Sequence, residues 1–152
     1  MRFTAEAYRQ AALEHVATAR ELYDADPPRY VMAHYVAGLA VECMLRAYRH
    51  WIDTEFDERH DLRALYKAAR FDEIVPAALQ EKIGTARSIV DSQWQNNHRF
   101  CSEEYLRSFF KRGALDRGIR GDFLKERTRR IVNAAFEIVS LGNRQWIKSL
   151  KS

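Results

Sequence analysis

The sequence predicts an all-α domain wrapped around one buried helix, and three observations predict it. Residues 36–45 read Val-Ala-Gly-Leu-Ala-Val-Glu-Cys-Met-Leu, apolar nearly all round with a single charge. A helix without a polar face is contacted from several sides. Apolar residues recur at three-to-four spacing in the segments on either side. Only three prolines and six glycines occur in 152 residues, too few for the many tight turns of a β-rich fold.

The first helix is predicted from about Thr4 to Asp24. Tyr8, Ala12, Val16, Ala19 and Tyr23 form its apolar stripe, and Thr4 suits an N-cap. Asp26-Pro27-Pro28 stops it, because proline lacks the amide donor and restricts its predecessor. The central helix spans about 29–52, with Ala37, Gly38 and Ala40 small enough to admit close neighbours. A third element begins at His60-Asp61 and shows Leu62, Leu65, Tyr66 and Ala69. A fourth follows Pro76 and carries Leu79, Ile83, Ala86, Ile89 and Val90 to about Ser92. Residues 93–121 read as irregular, with a short helical turn near Ser102–Phe110 and a loop from Arg112 to Gly121 that holds three glycines. The last helix starts at the N-cap Asp122 and buries Phe123, Ile131, Ala134, Ala135, Ile138 and Leu141. Gly142-Asn143 is its expected C-cap. One domain is therefore expected over 1–152, with its core at about 4–141 and a tail at 142–152 carrying Trp146, Ile147 and Leu150.

Composition narrows the function classes. Apolar residues make up 47% and charged residues 30%, which is the balance of a globular chain. Two cysteines, Cys43 and Cys101, make no disulfide framework and no zinc-ligand spacing, so neither metal nor cofactor is expected and a cytoplasmic setting is. No apolar run approaches a membrane span, and the first residues lack a signal core. No Walker-type or Gly-x-Gly-x-x-Gly loop is present.

Charge is distributed unevenly. Arg107 to Arg130 holds nine basic and three acidic side chains, a local +6 against +4 for the whole chain. That concentration points to an anionic partner. Arg127, Arg129 and Arg130 cannot all face one way on a helix, which argues against a single patch. Glu42 is the exceptional residue of the central helix, since a carboxylate there is costly unless paired. It is read either as a pocket-floor group facing a ligand or an arginine, or as half of a satisfied buried pair. His34 and His50 read as core or interface histidines, and His60-Asp61 as a structural pair.

Four features in order resemble a HEPN domain. They are Ala37-Gly38-Leu39-Ala40-Val41-Glu42-Cys43-Met44-Leu45-Arg46-Ala47-Tyr48, then His60-Asp61-Leu62-Arg63-Ala64-Leu65, then Trp94 with Arg99-Phe100, then a closing basic-apolar helix. The resemblance covers about Thr4 to Leu141. It implies an antiparallel up-and-down bundle of four to five helices that commonly pairs into a homodimer. It also implies RNA or nucleotide binding, often in a toxin–antitoxin pair or beside a nucleotidyltransferase. The RNase members carry an arginine followed by a histidine after four to six residues. Here Arg99 precedes Phe100-Cys101-Ser102-Glu103-Glu104-Tyr105-Leu106, with no histidine, and His98 comes before it instead.

The resulting expectation is RNA or nucleotide binding, with enzymatic activity left open and an endoribonuclease as its form if there is one. Glu42, Trp94, Asn97, Tyr105, Arg107, Lys111, Arg112, Arg117 and Arg120 are the candidate ligand-binding residues. A non-catalytic protein-interaction subunit is the alternative. A metal-independent RNase is the third reading, in which Arg99 meets the phosphate and His98 takes the proton.

Overall fold

The computed structural model describes residues 3–54 and 61–151. Among them are six α-helices and three short 3₁₀ turns, and no strand. The helices are α1 (Ala5–Asp24), α2 (Tyr30–Ile52), α3 (Leu62–Ala68), α4 (Gln80–Gln93), α5 (Glu103–Arg112) and α6 (Phe123–Leu150). The 3₁₀ turns are Phe71–Ile74, Ala77–Leu79 and Asn96–Phe100. The all-α bundle around a central helix is what the sequence predicts.

Local chemistry sets the helix starts. The Thr4 hydroxyl accepts the Ala7 amide at 3.0 Å, Asp61 accepts the Arg63 amide at 2.9 Å, Ser102 accepts that of Tyr105 at 3.1 Å, and Asp122 accepts that of Leu124 at 3.0 Å. His60 lies outside the described residues.

From Val36 to Tyr48 every residue of α2 except Leu39 is buried. α1 and α6 pack along it, and α3 and the Asn96–Phe100 turn meet it as well. Alanines make the close approach possible: Ala12 and Ala19 on α1, and Ala33, Ala37, Ala40 and Ala47 on α2, are all fully buried. The principal core joins α1, α2, α3, α4 and α6. A smaller cluster of Leu106, Phe110 and Leu124, flanked by Tyr30, Val31, Phe109, Leu115 and Phe123, fastens α5 against the starts of α2 and α6.

Two expectations are corrected here. Segment 93–121 is more ordered than its composition indicates, because α5 makes nearly three turns and buries Leu106 and Phe110. And α6 does not stop at Gly142-Asn143 but continues to Leu150. Gly142 is a contact glycine, not a cap. A Cβ there would lie 2.7 Å from Met44 Cγ, and its carbonyl accepts the Tyr48 hydroxyl at 2.7 Å. The supposed tail is the end of α6, and Trp146 is buried within it, 4.1 Å centroid to centroid from Trp51.

Gly38 is the second contact glycine. The Trp94 indole lies across it so closely that a Cβ would fall 2.1 Å from Trp94 Cδ1. Alanine is ordinarily the better helix former by about 1 kcal/mol, so the sign of one substitution is diagnostic. Gly38→Ala is expected to destabilise the protein by about 1–3 kcal/mol in urea unfolding, through overpacking. A stabilised variant would show that the indole does not sit there.

Candidate functional site

The Asn96–Phe100 turn carries the residues that the sequence singles out, and it divides them between two environments. Trp94 and His98 are buried, whereas Asn97, Arg99 and Phe100 are exposed. Trp94 donates its indole N–H to the Tyr35 carbonyl at 2.9 Å, and its ring lies nearly parallel to that of Tyr35, 6.1 Å away. At 5% exposure Trp94 is a wedge into α2 and offers no stacking surface to a ligand.

His98 points the same way. Its Nδ1 accepts the Gln95 amide at 3.1 Å and lies 3.2 Å from His34 Nε2. A backbone amide can only donate, so His98 Nδ1 is an acceptor, its proton sits on Nε2, and His34 donates from its own Nε2. The rings pack edge-on against phenylalanines, His34 against Phe110 at 5.4 Å and His98 against Phe109 at 4.7 Å. His34 is fully buried and His98 is 2% exposed. Among the described residues His34 Nδ1 and His98 Nε2 lack a well-aligned hydrogen bond, and the Gln93 backbone beside His34 only partly opposes the effect of burial. Burial therefore pushes the imidazoles down, His34 to about 3, helped by the neighbouring His98, and His98 to about 4. Both are neutral at pH 7. The RNase reading needs His98 and Arg99 to converge on one phosphodiester. The turn instead sends the imidazole inward and the guanidinium outward, where it lies 4.6 Å from the Phe100 ring centroid.

Glu42 is 5% exposed. Among the described residues the cation within ion-pair distance of it is Arg46, one turn further along α2, at 3.7 Å and itself 7% exposed. This arrangement fits the buried-pair reading. Tyr35 connects the two regions. Burial raises its phenol above the ordinary value, while the nearby Arg99 lowers it and Glu42 raises it.

The basic window separates into committed and available cations. Arg107 pairs with Asp122 at 3.2 Å and Glu103 at 3.6 Å. Arg129 and Arg130 share Glu126 at 2.6 and 3.0 Å, which holds that carboxyl down to about 2. Arg127 turns inward and donates to the Leu115 carbonyl at 2.5 Å, while its own carbonyl accepts from the buried Gln93 amide at 2.9 Å. Those bonds tie the 113–121 connection and α6 to the end of α4. Lys111, Arg112, Arg117, Arg120 and Lys125 are exposed and, among the described residues, form no ion pair. The connection turns through Gly118 and Gly121 at φ of 75° and 82°, a left-handed conformation natural to glycine.

A cleft of about 200 Å³ opens beside the turn, bordered by Asp61, Arg63, Asp91 and Asn96. Arg63 lies 3.6 Å from Asp91, whose carboxyl is raised by burial and whose Oδ1 has no hydrogen-bond partner among the described residues. Two carboxylates at its wall set it against phosphate. Among the described residues no group of three His, Cys, Asp or Glu side chains is placed to hold a metal ion. No helix among them is long and apolar enough to cross a membrane.

Tyr35 was not singled out in the sequence and had no signal, being one aromatic on an apolar helix. Phe100 entered only through the Arg99-Phe100 pair of the resemblance, without a role of its own. The chain matches no protein-family model, and no curated protein or solved structure is detectably similar to it.

The histidine pair fixes an acid limit. Folded-state values near 3 and 4 lie below the ordinary 6.5, so the unfolded chain binds these protons first. Stability is fully present above about pH 6.5 and falls toward pH 4, by up to about 1.4 kcal/mol per pH unit for each imidazole. His34→Gln keeps a donor toward His98 without a charge to gain. Urea midpoints measured from pH 7 to 4 are expected to fall less steeply in this variant; an unchanged slope would mean that His34 is not buried neutral.

Proposed function

We propose that the protein is a HEPN-like RNA- or nucleotide-binding module that binds through Arg99 and the cations following α5, and that it is not itself a nuclease. One observation carries the reading: five of the nine basic side chains between Arg107 and Arg130 are exposed and free of carboxylate partners among the described residues. Covalent proximity gathers them. The Arg107–Asp122 bond joins α5 to the start of α6, so Lys111, Arg112, Arg117, Arg120 and Lys125 belong to one end of the molecule. Arg99 adjoins them, because His98 packs on Phe109 of α5. Uncompensated arginines on a surface are fitted to phosphate, which they meet with a planar fork of donors. A place in a toxin–antitoxin or nucleotidyltransferase pair, and a homodimeric state, belong to the same proposal and rest on the family resemblance.

Binding of this kind is counterion release, so it weakens with salt. Fluorescence anisotropy with a short RNA is expected to show affinity falling steeply between about 50 and 200 mM salt. Removing Arg117 and Arg120 together should flatten the slope of log K against log salt by about 1.4, and Arg99→Ala by about 0.7. Absence of binding at the lowest salt, with Arg99→Ala indistinguishable from the parent, would refute the reading. RNA cleavage that His98→Ala abolishes while the fold survives would restore the RNase reading.

A second reading has its own observation. Trp51, Ile52, Ile147 and Leu150 are exposed at the shared end of α2 and α6, between 40 and 66%. An apolar group of that kind suits a partner protein, as expected of a non-catalytic interaction subunit. Ile147→Glu with Leu150→Glu would then abolish a complex with the product of the adjacent gene and leave RNA affinity intact.

A further inference from the structure

We infer that the exposed rings of Phe100 and Tyr105, each accompanied by a guanidinium, are stacking platforms for bases of a single-stranded nucleic acid. The inference rests on the binding reading above and adds the form of the ligand, an unpaired strand.

The sequence places two aromatic residues where the fold does not use them. Phe100 is 77% exposed and Tyr105 48%. Neither belongs to either hydrophobic cluster. The turn is held by Trp94 and His98, and α5 by Leu106 and Phe110, so the two rings are free of structural duty. Each is paired with an arginine: Arg99 lies 4.6 Å from the Phe100 centroid and Arg112 lies 5.6 Å from that of Tyr105. A ring so exposed keeps surface for a ligand with a guanidinium beside it.

The two pairs are neighbours. Tyr105, Phe109 and Arg112 recur at helical spacing along one flank of α5. Phe109 meets His98 edge-on at 4.7 Å, so this flank adjoins the turn that carries Arg99 and Phe100. Arg107 and Lys111 occupy a different flank, near the Phe123 ring of α6 at 5.4 and 5.8 Å. The aromatic–arginine pairs thus follow the seam between the Asn96–Phe100 turn and α5, and Arg112 at its far end leads into the connection that carries Arg117 and Arg120.

This pattern distinguishes a single strand from a duplex. In a duplex the base faces cover one another, and an exposed ring gains nothing from them. In a single strand every base has a face to stack, while cations at intervals meet the phosphates between. Glu104 opposes the arrangement: it is exposed, next to Tyr105, and has no cation within ion-pair distance among the described residues. The strand's phosphates are therefore led along the Arg99 and Arg112 side, and Glu104→Gln is expected to tighten binding.

The test compares a labelled uridine dodecamer with an RNA duplex of the same length by anisotropy at fixed salt. The single strand is expected to bind at least about tenfold more tightly. Phe100→Leu and Tyr105→Leu should each weaken single-strand binding about tenfold, leaving duplex affinity and the salt slope unchanged. Both residues are on the surface, so thermal melting of each variant should match the parent. Equal binding of the two forms, indifferent to both leucine variants, would leave a phosphate-only surface and overturn this inference alone. Absence of binding to either form would overturn the binding reading with it. Loss of a copurifying protein on Phe100→Leu, with RNA affinity intact, would assign the rings to a protein interface and overturn the inference.

Discussion

Two imidazoles shut away from water meet at 3.2 Å, one from near the start of the most buried helix and one from a five-residue turn. Much of what is distinctive in the molecule follows from that contact. A 3₁₀ turn has poor hydrogen-bond geometry and little persistence alone. This one is held because His98 accepts from both the Gln95 amide and His34, while the preceding Trp94 wedges over Gly38. With Trp94 and His98 committed to the interior, Arg99 and Phe100 have only the solvent side left. The exposed cation is thus a consequence of the buried pair. The orphaned ring nitrogens show the cost, since the pair is compatible with the fold only while both rings are neutral.

The same division of labour extends into α5 and α6. Phe109 and Phe110 enclose the two imidazoles, and Phe110 with Leu106 and Leu124 forms the small second core. Packing on that cluster positions α5, whose remaining flanks carry Tyr105 with Arg112 and Arg107 with Lys111. Carboxylates then select which cations stay available. Glu126 engages Arg129 and Arg130, and Asp122 caps α6 while holding Arg107, so the free charge collects between Lys111 and Lys125. The sequence-level objection that Arg127, Arg129 and Arg130 diverge is met: none of the three belongs to the candidate surface.

Legibility in the sequence followed the strength of the local physical signal. α2 was readable because ten consecutive positions lack a polar face, and the caps at Thr4 and Asp122 were readable because short polar side chains before apolar runs seldom have another use. Gly142 misled, since glycine serves equally as a helix stop and as a place for a neighbour to approach, and only Met44 across the gap decides between them. His98 beside Arg99 looked like a polar pair; consecutive residues in a tight turn point apart, and the partner that claims His98 lies 64 residues away. Glu42 was recognised as a carboxylate in need of a cation, yet the one found among the described residues is Arg46, four residues along the same helix rather than distant Arg99. The basic window was legible as a charge excess. Which of its members are free depends on Asp122 and Glu126 folding back on them.

The central claim is that the turn is pinned by a neutral histidine pair that turns Arg99 outward. Nitrogen-15 NMR of the two imidazoles tests it most directly. The account predicts that both rings carry their proton on Nε2 at pH 7 and stay neutral down to the onset of acid unfolding. An imidazole of the pair titrating with the ordinary value near 6.5, or a His98 protonated on Nδ1, would contradict it.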